Sequence, residues 1–148
     1  MARQMEQLQN SPSILVVDDQ AMVRRMAQRL LSEWGFRVFE ADSGEEAMEV
    51  LQTARHPVQL VIVDVVMPLV DGVQVTQRIQ ERWPDQRILY MSAHPAEVLA
   101  QYGLTELNVP FLAKPFTRDE LLMKVSEALE HPPASVPEGT PFSRHFPN

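Results

Sequence analysis

The stretch Ile14-Leu15-Val16-Val17-Asp18-Asp19 decides the fold. Four apolar residues, three of them β-branched, run without a polar break and stop on two carboxylates. That pattern is too short for a buried helix. It is also too uniformly apolar for a strand with one wet face, so it reads as a strand covered on both sides. Working outward, Leu60–Val63, Ile88–Met91 and Val109–Ala113 repeat the pattern, and Arg37–Ala41 is a less apolar version suited to a sheet edge.

The segments between these runs carry helical periodicity. Val23, Met26, Ala27, Leu30, Leu31 and Trp34 fall at i, i+3, i+4, i+7 spacing, with Gly35 as the stop. Ser43 and Glu46 form a capping box ahead of Ala47, Val50, Leu51 and Ala54, and Thr117 with Glu120 repeats it ahead of Leu121, Leu122, Val125, Ala128 and Leu129. Val75, Ile79 and Trp83 mark a further helix ended by Pro84, and Pro95 suits the first turn of another around Ala96–Tyr102. Five strands alternating with five helices predict a doubly wound α/β fold with a five-stranded parallel sheet.

Composition sets the outer limits. The chain has 148 residues, which suits one domain of roughly 100–150 residues with flanks. Residues 1–12 read as a flexible leader, 13–130 as the domain, and 131–148, with five of the twelve prolines, as an extended tail. Eighteen residues after Glu130 are too few for a separate output domain, since ~40 are usually needed to fold alone. The net charge is −7, and because each flank is neutral the whole excess lies between Ile14 and Glu130. Such acidity disfavours direct nucleic-acid binding. Zero cysteines exclude disulfides and thiolate chemistry. No apolar run is long enough for a membrane span or a signal peptide, so a cytoplasmic location is expected.

In doubly wound sheets the functional groups gather where strands end, beside the topological switch point. Asp18 and Asp19 follow the first strand, Asp64 the third, Ser92 the fourth and Lys114 the fifth. An acidic pair alone is more often solvated or capping a helix. A third carboxylate at the same point changes that reading, because three negative charges repel unless a cation neutralises them. Hard oxygen ligands select Mg²⁺ or Mn²⁺, and an incomplete cage suits Mg²⁺ shared with a phosphate. Lys114 and Ser92 can hold phosphoryl oxygens, and Asp64 has the character of an acceptor that forms an acyl phosphate.

Ile14-Leu-Val-Val-Asp-Asp19, Val63-Asp-Val-Val-Met-Pro-Leu-Val-Asp-Gly72, Met91-Ser-Ala93 and Phe111-Leu-Ala-Lys-Pro-Phe116 together resemble the response-regulator receiver domains of two-component signalling. The resemblance covers roughly Ser13–Glu130 and implies a flavodoxin-like sheet in the order 2-1-3-4-5. It implies that Asp64 is the phosphoacceptor, and that Asp19, Asp64 and the backbone carbonyl of Val66 ligate Mg²⁺ with Asp18 acting through water. It further implies that Lys114 pairs with the phosphoryl group and that the Lys114–Pro115 bond is cis. Ser92 and Phe111 would be the switch pair that remodels the face built from the fourth helix, fifth strand and fifth helix.

The partners implied are a sensor histidine kinase or histidine phosphotransfer protein upstream, a downstream protein, and a phosphorylation-linked homodimer. The only catalysis expected is self-phosphorylation and autodephosphorylation. Asp64-Val-Val-Met-Pro and Tyr90-Met-Ser92 lean toward receivers attached to hybrid sensor kinases. Val66 is apolar where many relatives are polar, and His94 lies two after Ser92; in the family these neighbours control the hydrolytic water. The segment Gly103–Asn108 is a little longer than usual.

Three other readings are weighed against this one. An Mg²⁺-dependent aspartyl-phosphate phosphatase or phosphotransferase would place its nucleophile after the first strand. An FMN carrier needs a loop of backbone donors there, where Asp18 and Asp19 would repel the phosphate. A pseudo-receiver that works without phosphorylation would not need the full acidic, hydroxyl and lysine set. Secondary features take bland readings: Arg24, Arg25 and Arg29 as a solvated helix face, methionines as core filler, and Trp34 and Trp83 as core caps.

Overall fold

A computed structural model describes residues 12–68, 71–94, 97, 100, 101 and 110–130. Pro12 is described and its carbonyl accepts from the Arg37 N–H at 2.9 Å, while the expected flexible segment up to residue 11, the tail and the segment Gly103–Asn108 lie outside these residues. So does most of the helix expected around Ala96–Tyr102, of which Glu97, Ala100 and Gln101 are helical and exposed.

The strands are β1 (Ser13–Val17), β2 (Arg37–Ala41), β3 (Leu60–Asp64), β4 (Arg87–Ser92) and β5 (Phe111–Ala113). Between and after them run α1 (Ala21–Glu33), α2 (Gly44–Thr53), α3 (Gly72–Arg82) and α4 (Arg118–Glu130). All pairings are parallel, in the order β2-β1-β3-β4-β5. The sheet order and the central apolar strands therefore match the sequence reading. β1 is buried along its length because each pleat face meets a helix layer. Leu15, Val17, Val61, Val63, Ile88 and Tyr90 pack on one side with Ala47 of α2 and Val73, Val75 and Ile79 of α3. Ile14, Val16, Leu60, Ile62, Leu89 and Met91 pack on the other with Ala27 and Leu31 of α1 and Leu121, Leu122 and Val125 of α4.

Local chemistry sets the helix ends. Ser43 Oγ accepts from the Glu46 N–H at 3.2 Å, and Thr117 with Glu120 closes a reciprocal capping box at 3.1 and 3.0 Å. Past the end of α1 the chain turns at Gly35, whose φ of 91° only glycine adopts cheaply; Gly35 and Phe36 N–H groups then bond the Ser32 and Leu31 carbonyls.

Trp83 packs against the core as expected, but Trp34 does not: it is 54% exposed. α1 ends at Glu33, so Trp34 sits at the C-cap with non-helical dihedrals and its ring leaves the apolar stripe. Met22 and Met123 are likewise exposed, whereas Met91 is core. No helix among the described residues is long and apolar enough to cross a membrane.

Candidate functional site at the carboxyl ends of the strands

Strand register assembles the site. Val17 stands opposite Val63 in the β1–β3 ladder, so Asp18 and Asp64 emerge side by side at the switch point. Asp64 stands opposite Met91, and Ser92 opposite Ala113, which delivers Lys114 one residue later. The backbone ties this row together: the Val65 N–H donates to the Met91 carbonyl at 2.9 Å and the Lys114 N–H to the Ser92 carbonyl at 2.8 Å. The Lys114–Pro115 peptide is cis.

Lys114 Nζ donates to Asp18 Oδ2 at 2.9 Å and to Asp64 Oδ2 at 3.0 Å. Asp18 and Asp64 are buried, while Asp19 is exposed. One carboxylate oxygen from each of the three lies within 4.8 Å of the other two. The Oδ1 oxygens of Asp18 and Asp64 are held by backbone: the Gln20 N–H donates to Asp18 Oδ1 at 2.9 Å and the Val66 N–H to Asp64 Oδ1 at 3.2 Å. Val66 thus lies at the site through its main chain, and its side chain is exposed.

The charges are unbalanced. Burial pushes the Asp64 carboxyl above the usual carboxylate range, and the charge of Asp18 adds to that; the hydrogen bond and charge of Lys114 and the Val66 N–H work against it. Burial would lower the Lys114 ammonium, but its hydrogen bonds and charge pairing with Asp18 and Asp64 outweigh this and raise it. One lysine against three carboxylates leaves room for a divalent cation, and an all-oxygen donor set open at Asp19 suits Mg²⁺ or Mn²⁺.

Ser92 is buried, and its Oγ accepts from the His94 N–H at 3.0 Å. Phe111 opens β5 opposite Tyr90 and is half-buried against the α2–α3 core. The predicted residues Asp18, Asp19, Asp64, Val66, Ser92 and Lys114 therefore gather at one end of the sheet, and Phe111 lies on the neighbouring strand.

Three contributions were not foreseen. A Cβ on Gly72 would lie against the Asp64 carbonyl oxygen, so only glycine lets α3 begin against β3. The Asp-Gly pair at Asp71–Gly72 was the available signal, with Asp71 accepting from the Gln74 N–H at 2.9 Å as N-cap. Thr76 and Tyr90 share a buried 2.6 Å hydrogen bond that no spacing rule exposes. Arg24, read above as part of a solvated face, is instead folded inward: its Nη1 donates to the Asp18 carbonyl at 2.7 Å. Arg25 and Arg29 are exposed, as expected.

Comparison with known proteins agrees with this geometry. Residues 14–126 match the family model described as the response regulator receiver domain. The sensor kinase CckA of Brucella abortus is 33% identical over 123 residues, which span 83% of this chain and 13% of that protein. The response regulator MprA of Mycolicibacterium vanbaalenii is 34% identical over 116 residues, spanning 78% and 49%. Sensor kinases and transcriptional regulators both stand among the relatives, and the chain spans about half their length or less. The solved structure of chemotaxis protein CheY4 of Vibrio cholerae superposes with a TM-score of 0.70 at 29% identity, covering 80% of this chain and 99% of that one. The chain belongs to the response regulator receiver domain family of two-component systems.

Proposed function

We propose that this receiver takes a phosphoryl group from the phosphohistidine of a sensor histidine kinase or histidine phosphotransfer protein onto Asp64. The observation that carries the reading is Lys114 bonded at once to two buried carboxylates, with Asp19 completing an oxygen cluster within 4.8 Å. Asp64 Oδ attacks phosphorus, the P–N bond breaks with its electron pair going to the ring nitrogen, and the imidazole leaves neutral, keeping the proton already on its other nitrogen. Asp19, Asp64 and the Val66 carbonyl would hold Mg²⁺, with Asp18 acting through water. When bound, Mg²⁺ offsets the charge between carboxylate and phosphoryl oxygens.

Lys114 would follow the negative charge from the carboxylate to the phosphoryl oxygens. Ser92 accepts from His94, which leaves its own hydroxyl proton to donate to a phosphoryl oxygen. Movement of Ser92 toward the phosphate, with Phe111 following inward, is the two-state element that would alter the surface at β5 and α4. A downstream protein, or a second copy in a phosphorylation-linked homodimer, would read that change. The domain catalyses only its own phosphorylation and dephosphorylation.

The test is incubation with a small phosphodonor and Mg²⁺, followed by intact mass measurement. One phosphoryl adduct is expected, and it should be lost with Asp64→Asn or with EDTA. No adduct on the native chain would favour a receiver that binds partners without phosphorylation.

A further inference from the structure

We propose that Arg24 is a positioning residue for the metal and phosphoryl site, with Glu40 as its anchor; this rests on reading Asp18, Asp19 and Asp64 as an Mg²⁺ site. Arg24 lies in the first turns of α1, and its Nη1 reaches back 2.7 Å to the Asp18 carbonyl. That carbonyl belongs to the peptide joining Asp18 to Asp19, so fixing it sets the direction in which both carboxylates leave the chain.

The loop needs such a strap. The N-cap of α1, Gln20, makes no side-chain capping bond, and the first turn carries no acidic residue. Arg24 Nε is buried and stands 3.4 Å from Glu40 Oε1, an ion pair without the alignment of a hydrogen bond. Glu40 precedes Ala41, whose carbonyl accepts from the Asp18 N–H at 3.1 Å. Edge strand β2 thus grips the acidic loop twice, once by backbone and once through the guanidinium. A rigid fork that serves a carbonyl and a carboxylate together is a role lysine fills poorly.

Position and charge predict opposite signs. Removing a cation beside three carboxylates should tighten divalent-ion binding by simple electrostatics, whereas losing the strap should weaken it. The experiment is titration of the metal-free protein with Mn²⁺ and no phosphodonor, reading free Mn²⁺ by electron paramagnetic resonance, with far-UV circular dichroism alongside. Arg24→Met should weaken Mn²⁺ binding by about 10-fold with an unchanged far-UV spectrum. Arg24→Lys should recover part of that loss, and Glu40→Gln should show a smaller weakening.

Equal or tighter binding by Arg24→Met overturns the proposal. Should that variant fail to fold, unchanged affinity in both Arg24→Lys and Glu40→Gln overturns it instead. Absence of Mn²⁺ binding by the native chain would refute the metal-site reading itself, which separates the two failures.

Discussion

Asp64 is held in a conflict that ligand binding would relieve. Burial raises its carboxyl, so the folded chain holds that proton more tightly than the unfolded chain does. Its stabilising contribution is therefore full below the ordinary carboxylate value and is lost as pH rises through the raised folded value. Above the raised folded value the ionised, metal-free site costs stability. Asp64→Asn should melt a few degrees higher than the native chain at pH 7 without metal, each kcal/mol being worth about 4 °C at this size. The gain should shrink as pH falls through the raised folded value and be gone below the ordinary carboxylate value of about 4, where the carboxyl is neutral in both states. A lower melting temperature for the variant at pH 7 would refute the assignment. Tyr90 titrates at the other extreme, because burial pushes its phenol from 10.0 up to about 12. The sign is the same: stability is complete below pH 10 and falls as the unfolded phenol ionises first. The loss should be about 1.4 kcal/mol per pH unit between the two values, and Tyr90→Phe should remove that part of the slope in urea unfolding across this range.

At the scale of elements, β3 and α3 meet at the closest approach in the site. A methyl group at position 72 would collide with the Asp64 carbonyl, so Gly72→Ala must displace either β3 or the helix start. A loss of about 1–3 kcal/mol is expected in urea unfolding, together with slower phosphoryl uptake; a neutral substitution would contradict the packing. Elements of this kind were unequally legible. Ile14–Val17 and Leu60–Val63 could be read because burial on both faces removes all polar residues from a strand. Ser43–Glu46 and Thr117–Glu120 could be read because capping boxes are local. Trp34 misled because the apolar spacing continued one residue past the last helical turn. Arg24 and the Thr76–Tyr90 bond escaped notice because each joins groups that only tertiary packing brings together.

Across the whole molecule, parallel register converts four separate strand ends into one site. Asp18, Asp64, Ser92 and Lys114 are scattered over 97 positions of sequence, yet they fall in one row because each ends or follows a strand held in step with its neighbour. That row is legible as chemistry in the sequence, since each of the four polar groups stands directly after an apolar run. The orientation of the acidic loop was not, because it depends on the β2 edge through Glu40 and Ala41. The net charge of −7 takes on a local meaning here: three of its negatives converge at one point, and two of them pair with the Lys114 ammonium.

The most direct measurement is chemical placement of the phosphoryl group. After incubation with a small phosphodonor and Mg²⁺, borohydride reduction converts an acyl-phosphorylated aspartate to homoserine, and peptide mass spectrometry locates it. Homoserine at position 64 and nowhere else is the expected result. Homoserine at position 18 or 19, or none in a chain that does bind Mg²⁺, would contradict the assignment of Asp64 as acceptor.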